Sequence, residues 1–103
     1  MTTSASESEI LKVLAQVRHP EIDNTLVDLG MLKDIVISST NVSLTLMLPL
    51  MGIPIQIKDY LVRSIHDAIA KLDASLQIEL RLAEMSQDER SRFFKMSQDG
   101  WLG

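Results

Sequence analysis

Val42-Ser43-Leu44-Thr45-Leu46-Met47-Leu48, followed beyond a broken turn by Ile57, Leu61, Ile65, Ala68, Ile69 and Leu72, is the passage whose reading decides the fold. In its first part, Val42, Leu44, Leu46 and Leu48 alternate with Ser43, Thr45 and Met47, the period of a strand with one dry face. In its second part the apolar positions recur at three- and four-residue steps, which predicts a helix over about Pro54 to Leu72. Pro54 suits the first turn of that helix, where its missing N–H leaves nothing unpaired. Lys58, Asp59, Arg63, His66, Asp67 and Lys71 decorate the opposite side, a solvated face. Further on, Leu76, Ile78, Leu80 and Leu82 alternate with Gln77, Glu79 and Arg81, a second such strand. A strand–helix–strand passage closes as a right-handed crossover, which sets these two strands parallel.

Working outward, Leu32 to Ile37 is a β-branched run that reads as a strand, and Ser38 to Asn41 supplies turn formers. So short a connection makes an antiparallel hairpin with the strand beginning at Val42. Ser6 and Glu9 have capping-box spacing ahead of Ile10, Leu11, Val13, Leu14 and Val17, predicting a first helix from about Glu7 to Arg18 that Pro20 ends. Ser86 and Glu89 repeat the box before a last helix of about Gln87 to Met96. All three strands are apolar on one face and mixed on the other, which needs helices on one side only. The expected fold is α+β, a two-layer α-β-β-α-β domain with a three-stranded mixed sheet and an added C-terminal helix. The expected domain covers residues 8–83, after a flexible start at 1–7 and before a C-terminal helix and aromatic tail at 84–103.

A chain of 103 residues holds one core. The formal net charge of -4 disfavours a phosphate-neutralising surface, so no nucleic acid is expected as a partner. With no cysteine there is no disulfide, thiolate ligand or cysteine nucleophile, in keeping with a reducing compartment. The first seven residues lack the basic and apolar regions of a secretory signal. The most apolar segment, Leu44 to Ile57, is interrupted by Pro49, Gly52 and Pro54, so no membrane span is expected. A cytoplasmic protein follows as the expectation.

Between the first helix and the first strand lies Arg18-His19-Pro20-Glu21-Ile22-Asp23-Asn24-Thr25-Leu26-Val27-Asp28-Leu29-Gly30-Met31. Asp23, Asn24 and Thr25 are candidates to cap a short turn over Leu26 to Leu29, and Gly30 fits the left-handed residue that closes such a turn. His19, Glu21 and Asp23 are metal-ligand types, but their crowding around Pro20 makes convergence on one ion awkward, and no metal or cofactor is expected. At the end of the second strand, Leu50, Met51 and Ile53 flank Gly52 ahead of a helix N-terminus, as core anchors or as an apolar contact surface. Phe93, Phe94 and Trp101 gather in the last eleven residues, so the tail is expected to dock, on its own domain or on a partner chain. No Ser-His-Asp set and no buried carboxylate pair stands out.

His19-Pro20-Glu21-Ile22 followed by Leu26 to Met31 resembles the signature of the iron–sulfur cluster assembly domain family. That family includes SufT- and PaaD-type proteins and the N-terminal domain of Mrp/ApbC-type iron–sulfur carrier ATPases. The resemblance spans roughly residues 8 to 83 and implies the same α-β-β-α-β order. Free-standing members carry Thr-x-x-x-Cys-Pro after the second strand. Pro54 matches its proline, whereas Pro49 stands at the threonine and Ile53 at the cysteine, which brings this chain closer to the Mrp-type domain. Thiolate ligation of a cluster by these residues is thereby excluded. The resemblance implies a non-enzymatic adaptor in iron–sulfur cluster assembly or transfer, contacting iron–sulfur carrier or client proteins. The expected surface combines His19, Pro20, Glu21, Asp28 and Gly30 with Met51, Gly52, Ile53 and Pro54. Two other readings stay open: a small metal-dependent enzyme using His19, Glu21 and Asp23, and a single-stranded RNA-binding module, against which the acidic charge and the lack of a Gly-x-x-Gly loop speak. A free sheet edge would also allow a homodimer.

Overall fold

The computed structural model describes residues 6–50 and 52–102. Three helices and three strands follow in the order α1 (Glu7–Leu14), β1 (Leu32–Ile37), β2 (Asn41–Leu48), α2 (Ile55–Leu72), β3 (Gln77–Glu84) and α3 (Gln87–Asp99). The sheet order is β1-β2-β3, with β1 antiparallel and β3 parallel to the central β2. The fold is the expected mixed-sheet α+β domain with an added C-terminal helix. Val42, Leu44, Leu46 and Leu48 are fully buried, as are Ile10 and Leu14 of α1 and Leu61, Ile65 and Ile69 of α2. α1 packs on α2. One strand face and two helix stripes thus make one core, the arrangement that period-2 and period-3.6 patterns require.

Both capping boxes form. Glu9 N–H donates to Ser6 Oγ at 3.2 Å while Ser6 N–H donates to Glu9 Oε1 at 3.0 Å. Ser86 and Glu89 do the same at 3.2 and 2.9 Å. The expected flexible start at 1–7 is already structured at Ser6 and Glu7, and residues 1–5 lie outside the described residues.

Several boundaries move for physical reasons. α1 ends at Leu14, not Arg18. Beyond it the backbone tightens, Gln16 N–H to Val13 O and Val17 N–H to Leu14 O at 3.2 Å each, and Arg18 pairs with Thr25 in an antiparallel bridge. The carbonyl of Val17 is taken by Leu26 N–H at 2.9 Å, so the next turn of helix is traded for closure of the loop. Pro54 sits one place earlier than expected, as the N-cap of α2, without a side-chain cap. α3 runs on to Asp99 and stops at Gly100. β1 also carries a bulge: Lys33 opposes Thr45 and Val36 opposes Ser43, so one extra residue is absorbed between them. Asp34, at φ 53°, takes the left-handed conformation there.

Candidate functional site

The loop that opens the site is built mostly from backbone bonds. His19 N–H donates to Asn24 O at 3.1 Å, inside the closure made by Val17 and Leu26. Thr25 caps the next turn, its hydroxyl accepting from Asp28 N–H at 3.2 Å. That turn ends in a Schellman arrangement: Gly30 N–H donates to Val27 O at 3.0 Å and Met31 N–H to Leu26 O at 2.9 Å. Gly30 has φ +75°, as the motif needs. Met31 O then accepts from Met47 N–H at 2.7 Å, which hangs the whole loop on the end of the sheet.

His19 is buried, at 9% exposure, with its ring centroid 6.4 Å from that of Phe93. The amide N–H of Glu21 donates to His19 Nδ1 at 3.0 Å. Nδ1 must therefore carry a lone pair, which puts the proton of the neutral ring on Nε2. Burial lowers the pKa of His19 below its ordinary value, opposed in part by the Glu21 carboxylate. His19 is thus a neutral ring clamping its own loop. Asp23 is engaged elsewhere, in an ion pair with Arg18. Among the described residues, no three His, Asp or Glu side chains are placed to hold one metal ion.

The loop faces the turn ahead of α2. A cleft of about 170 Å³ lies between them, lined by His19, Glu21, Ile22 and Met31 on one side and Pro49, Ile53, Pro54 and Ile57 on the other. Phe93, Phe94, Ser97 and Trp101 complete it. α3 is held there by Arg90, whose Nε donates to Pro49 O at 2.8 Å and whose guanidinium reaches Met85 O at 3.1 Å. Lys33 adds an ion pair to Glu89 at 3.0 Å. Bonded by Ser86 N–H, Lys33 and the Ser86 hydroxyl, the Glu89 carboxyl drops to about 2.

The chain end then returns to the motif loop as a short strand. Asp23 N–H donates to Gly100 O at 2.7 Å and Leu102 N–H to Glu21 O at 3.0 Å, an antiparallel bridge between Ile22 and Trp101. Gly100 is needed for this approach, since a Cβ there would lie 3.3 Å from Ile22 Cγ2 and 3.4 Å from the Asp23 backbone. The tail therefore docks on its own domain, but unevenly. Phe93 is 5% exposed, whereas Phe94 and Trp101 keep 42% and 55% of their surface in solvent.

Of the residues singled out from sequence, His19, Glu21, Ile53, Pro54, Phe93, Phe94 and Trp101 meet in this cleft. Pro20 is half-buried beside it, while Asp28, Gly30 and Gly52 lie off its walls, the first two serving the Schellman turn. Met51 lies outside the described residues. Sequence reasoning missed Ile22, Met31 and Ile57 as walls and Arg90 as the staple. An isoleucine between two acids was the one local signal for Ile22. A wider, open groove of about 600 Å³ between α1 and α2, bordered by Arg18, Tyr60, Asp67 and Lys71, shares none of the cleft's aromatic side chains.

A two-layer α+β domain carrying a small, mostly apolar cleft, with the cluster-assembly motif on one wall, defines the class. Residues 7–80 match the family model described as iron–sulfur cluster assembly protein, and the chain belongs to that family. The description of that family ties the chain to iron–sulfur cluster assembly. Among curated proteins the chain is 29% identical over 91 residues to an iron–sulfur cluster carrier protein of Synechocystis sp. (strain ATCC 27184 / PCC 6803 / Kazusa), covering 88% of this chain and 24% of that protein. The chain thus spans about a quarter of that relative's length. A crystal structure of a domain of unknown function, DUF59, from Bacillus anthracis superposes with a TM-score of 0.68 at 20% identity, over 90% of this chain and 91% of the other, and shows the same fold. No helix among the described residues is long and apolar enough to cross a membrane.

The donor set does not fit a bound cluster. These residues contain no cysteine, and the one histidine in the cleft has Nδ1 occupied by a backbone donor.

Proposed function

We propose that this domain is a non-enzymatic adaptor for cytoplasmic iron–sulfur cluster assembly or transfer, seating a carrier or client protein at the cleft. The observation that carries the reading is the convergence of the motif loop, the turn before α2 and two half-exposed aromatic side chains on one apolar hollow. Such a site offers burial area and a shaped backbone, the elements of an interface anchor, and no thiolate for the cluster itself. The cluster is then cargo held by the partner's ligands. Ile53 supports this view, because it puts an aliphatic wall where the family's free-standing members carry a thiol.

The test is affinity capture from the native host with the tagged full chain, against a variant carrying Ile53→Asp and Phe94→Asp. Enrichment of cluster-assembly or cluster-binding proteins by the wild type, lost in the variant, supports the adaptor. No such enrichment, or enrichment that the two charges leave intact, overturns it.

A further inference from the structure

β3 is an edge of the sheet, with β2 on one side and no further strand on the other among the described residues. Its side chains alternate: Glu79 and Arg81 project from one face, and Ile78, Leu80 and Leu82 from the face that carries the core row of β2. Leu82 is the register partner of the fully buried Leu46, yet it remains 43% exposed. Arg81 donates to Ser43 Oγ at 2.9 Å and has no acidic partner among the described residues; neither Glu79 nor Arg81 takes part in an ion pair there.

We propose that this edge is a self-association surface, on which two copies join antiparallel β3 strands about a two-fold axis through Leu80 to make one continuous sheet. The register follows from symmetry and charge. A two-fold axis perpendicular to the sheet keeps each face on its own side, so it must pass through a residue and pair positions of equal parity. Through Leu80, Glu79 of each copy faces the partner's Arg81, and Leu82 of each copy meets the partner's Ile78. Moving the axis to Glu79 sets Glu79 against the partner's Glu79, and moving it to Arg81 sets two guanidiniums together. Opposite charges directly across an antiparallel pair are favourable and like charges are not, so one register is selected. A strand that used charge only to keep its edge in water would need no such arrangement of opposite signs about an apolar centre.

Sedimentation velocity of the full chain from micromolar to submillimolar concentration tests this with four proteins: wild type, Glu79→Arg, Arg81→Glu and the double exchange. Both substituted positions, 79 and 81, are exposed, and an unchanged urea midpoint confirms the fold of each variant. A concentration-dependent dimer is expected for the wild type. Each single reversal turns both symmetric pairs into like-charge pairs and should raise the dimer Kd by about tenfold. The double exchange restores both pairs and should return Kd to the wild-type range, which a general effect of altered charge would not do. A wild type that stays monomeric throughout, single variants that dimerise as well as the wild type, or a double exchange no better than the singles would each overturn the proposal.

Discussion

Replacing Gly30 with L-alanine isolates the backbone term that shapes the motif loop. Gly30 sits at φ +75°, and a Cβ built there meets no heavy atom within 4 Å. Clashes with neighbours therefore add nothing, and what remains is the cost to an L-residue of left-handed backbone, about 1–2 kcal/mol. Stiffening of the unfolded chain returns about 0.4–1 kcal/mol. The net loss is about 1 kcal/mol, or a fall in Tm of about 4–8 °C for a chain of this size. D-Alanine at the same exposed position prefers positive φ, so the conformational term changes sign and stability should rise by about 0.4–1 kcal/mol. The chain is short enough for chemical synthesis and ligation, and urea denaturation of the glycine, L-alanine and D-alanine forms reads both effects. Hydrogen exchange at the Met31 amide, which donates across the turn to Leu26, should quicken in the L-form and slow in the D-form. Equal destabilisation by both alanines, or none by the L-form, would refute the backbone argument and with it the claim that Gly30 is there for its φ.

Two further outcomes test the cleft. Because burial lowers the pKa of His19 in the folded state, the unfolded chain binds the proton first on acidification. The His19 contribution to stability should be intact above the ordinary histidine range and be lost as pH falls from about 6.5 towards the lower folded value; urea midpoints compared between wild type and His19→Gln show whether that slope belongs to this ring. Phe93→Ala should cost about 3–5 kcal/mol by emptying a buried aromatic site, and Phe94→Ala only a small fraction of that, since its ring is half in water; equal losses in equilibrium unfolding would mean that α3 is seated differently.

The elements themselves were legible because each carries its own period: alternation through Leu44 and Leu46, and four-residue steps through Leu61, Ile65 and Ile69. The end of α1 was not. Val17 continues the helical stripe of Ile10 and Leu14, and no local pattern announces that its carbonyl is claimed by Leu26. The bulge at Asp34 was hidden for the same reason, since a register is a property of two strands and not of one. The facing of the motif loop and the turn before α2 could be argued from topology, as one segment enters β1 and the other leaves β2. The landing of the tail could not. Its bridge to Ile22 is made by main-chain groups of Gly100 and Leu102, which leave only a weak trace in side-chain identity.

That bridge also bears on how the cleft acts. The motif loop closes on itself through Val17, His19, Asn24 and Leu26, and the tail strand pairs with its outer edge at Glu21 and Asp23. Both sides of the loop are thus tied by main-chain bonds, and His19 adds a side-chain clamp that needs the neutral ring. Opposite, Arg90 fixes the carbonyl of Pro49 at the start of the turn that carries Ile53. A site held this firmly contributes by presenting a surface that is already in shape, which lowers the ordering cost of association. The same bonds work against the metal-enzyme reading, because they engage His19 Nδ1 with the Glu21 amide. Rigidity at the walls combined with exposure at Phe94 and Trp101 is the pattern of an interface anchor with a rim, and it is on that combination, more than on any single residue of the motif, that the adaptor reading rests.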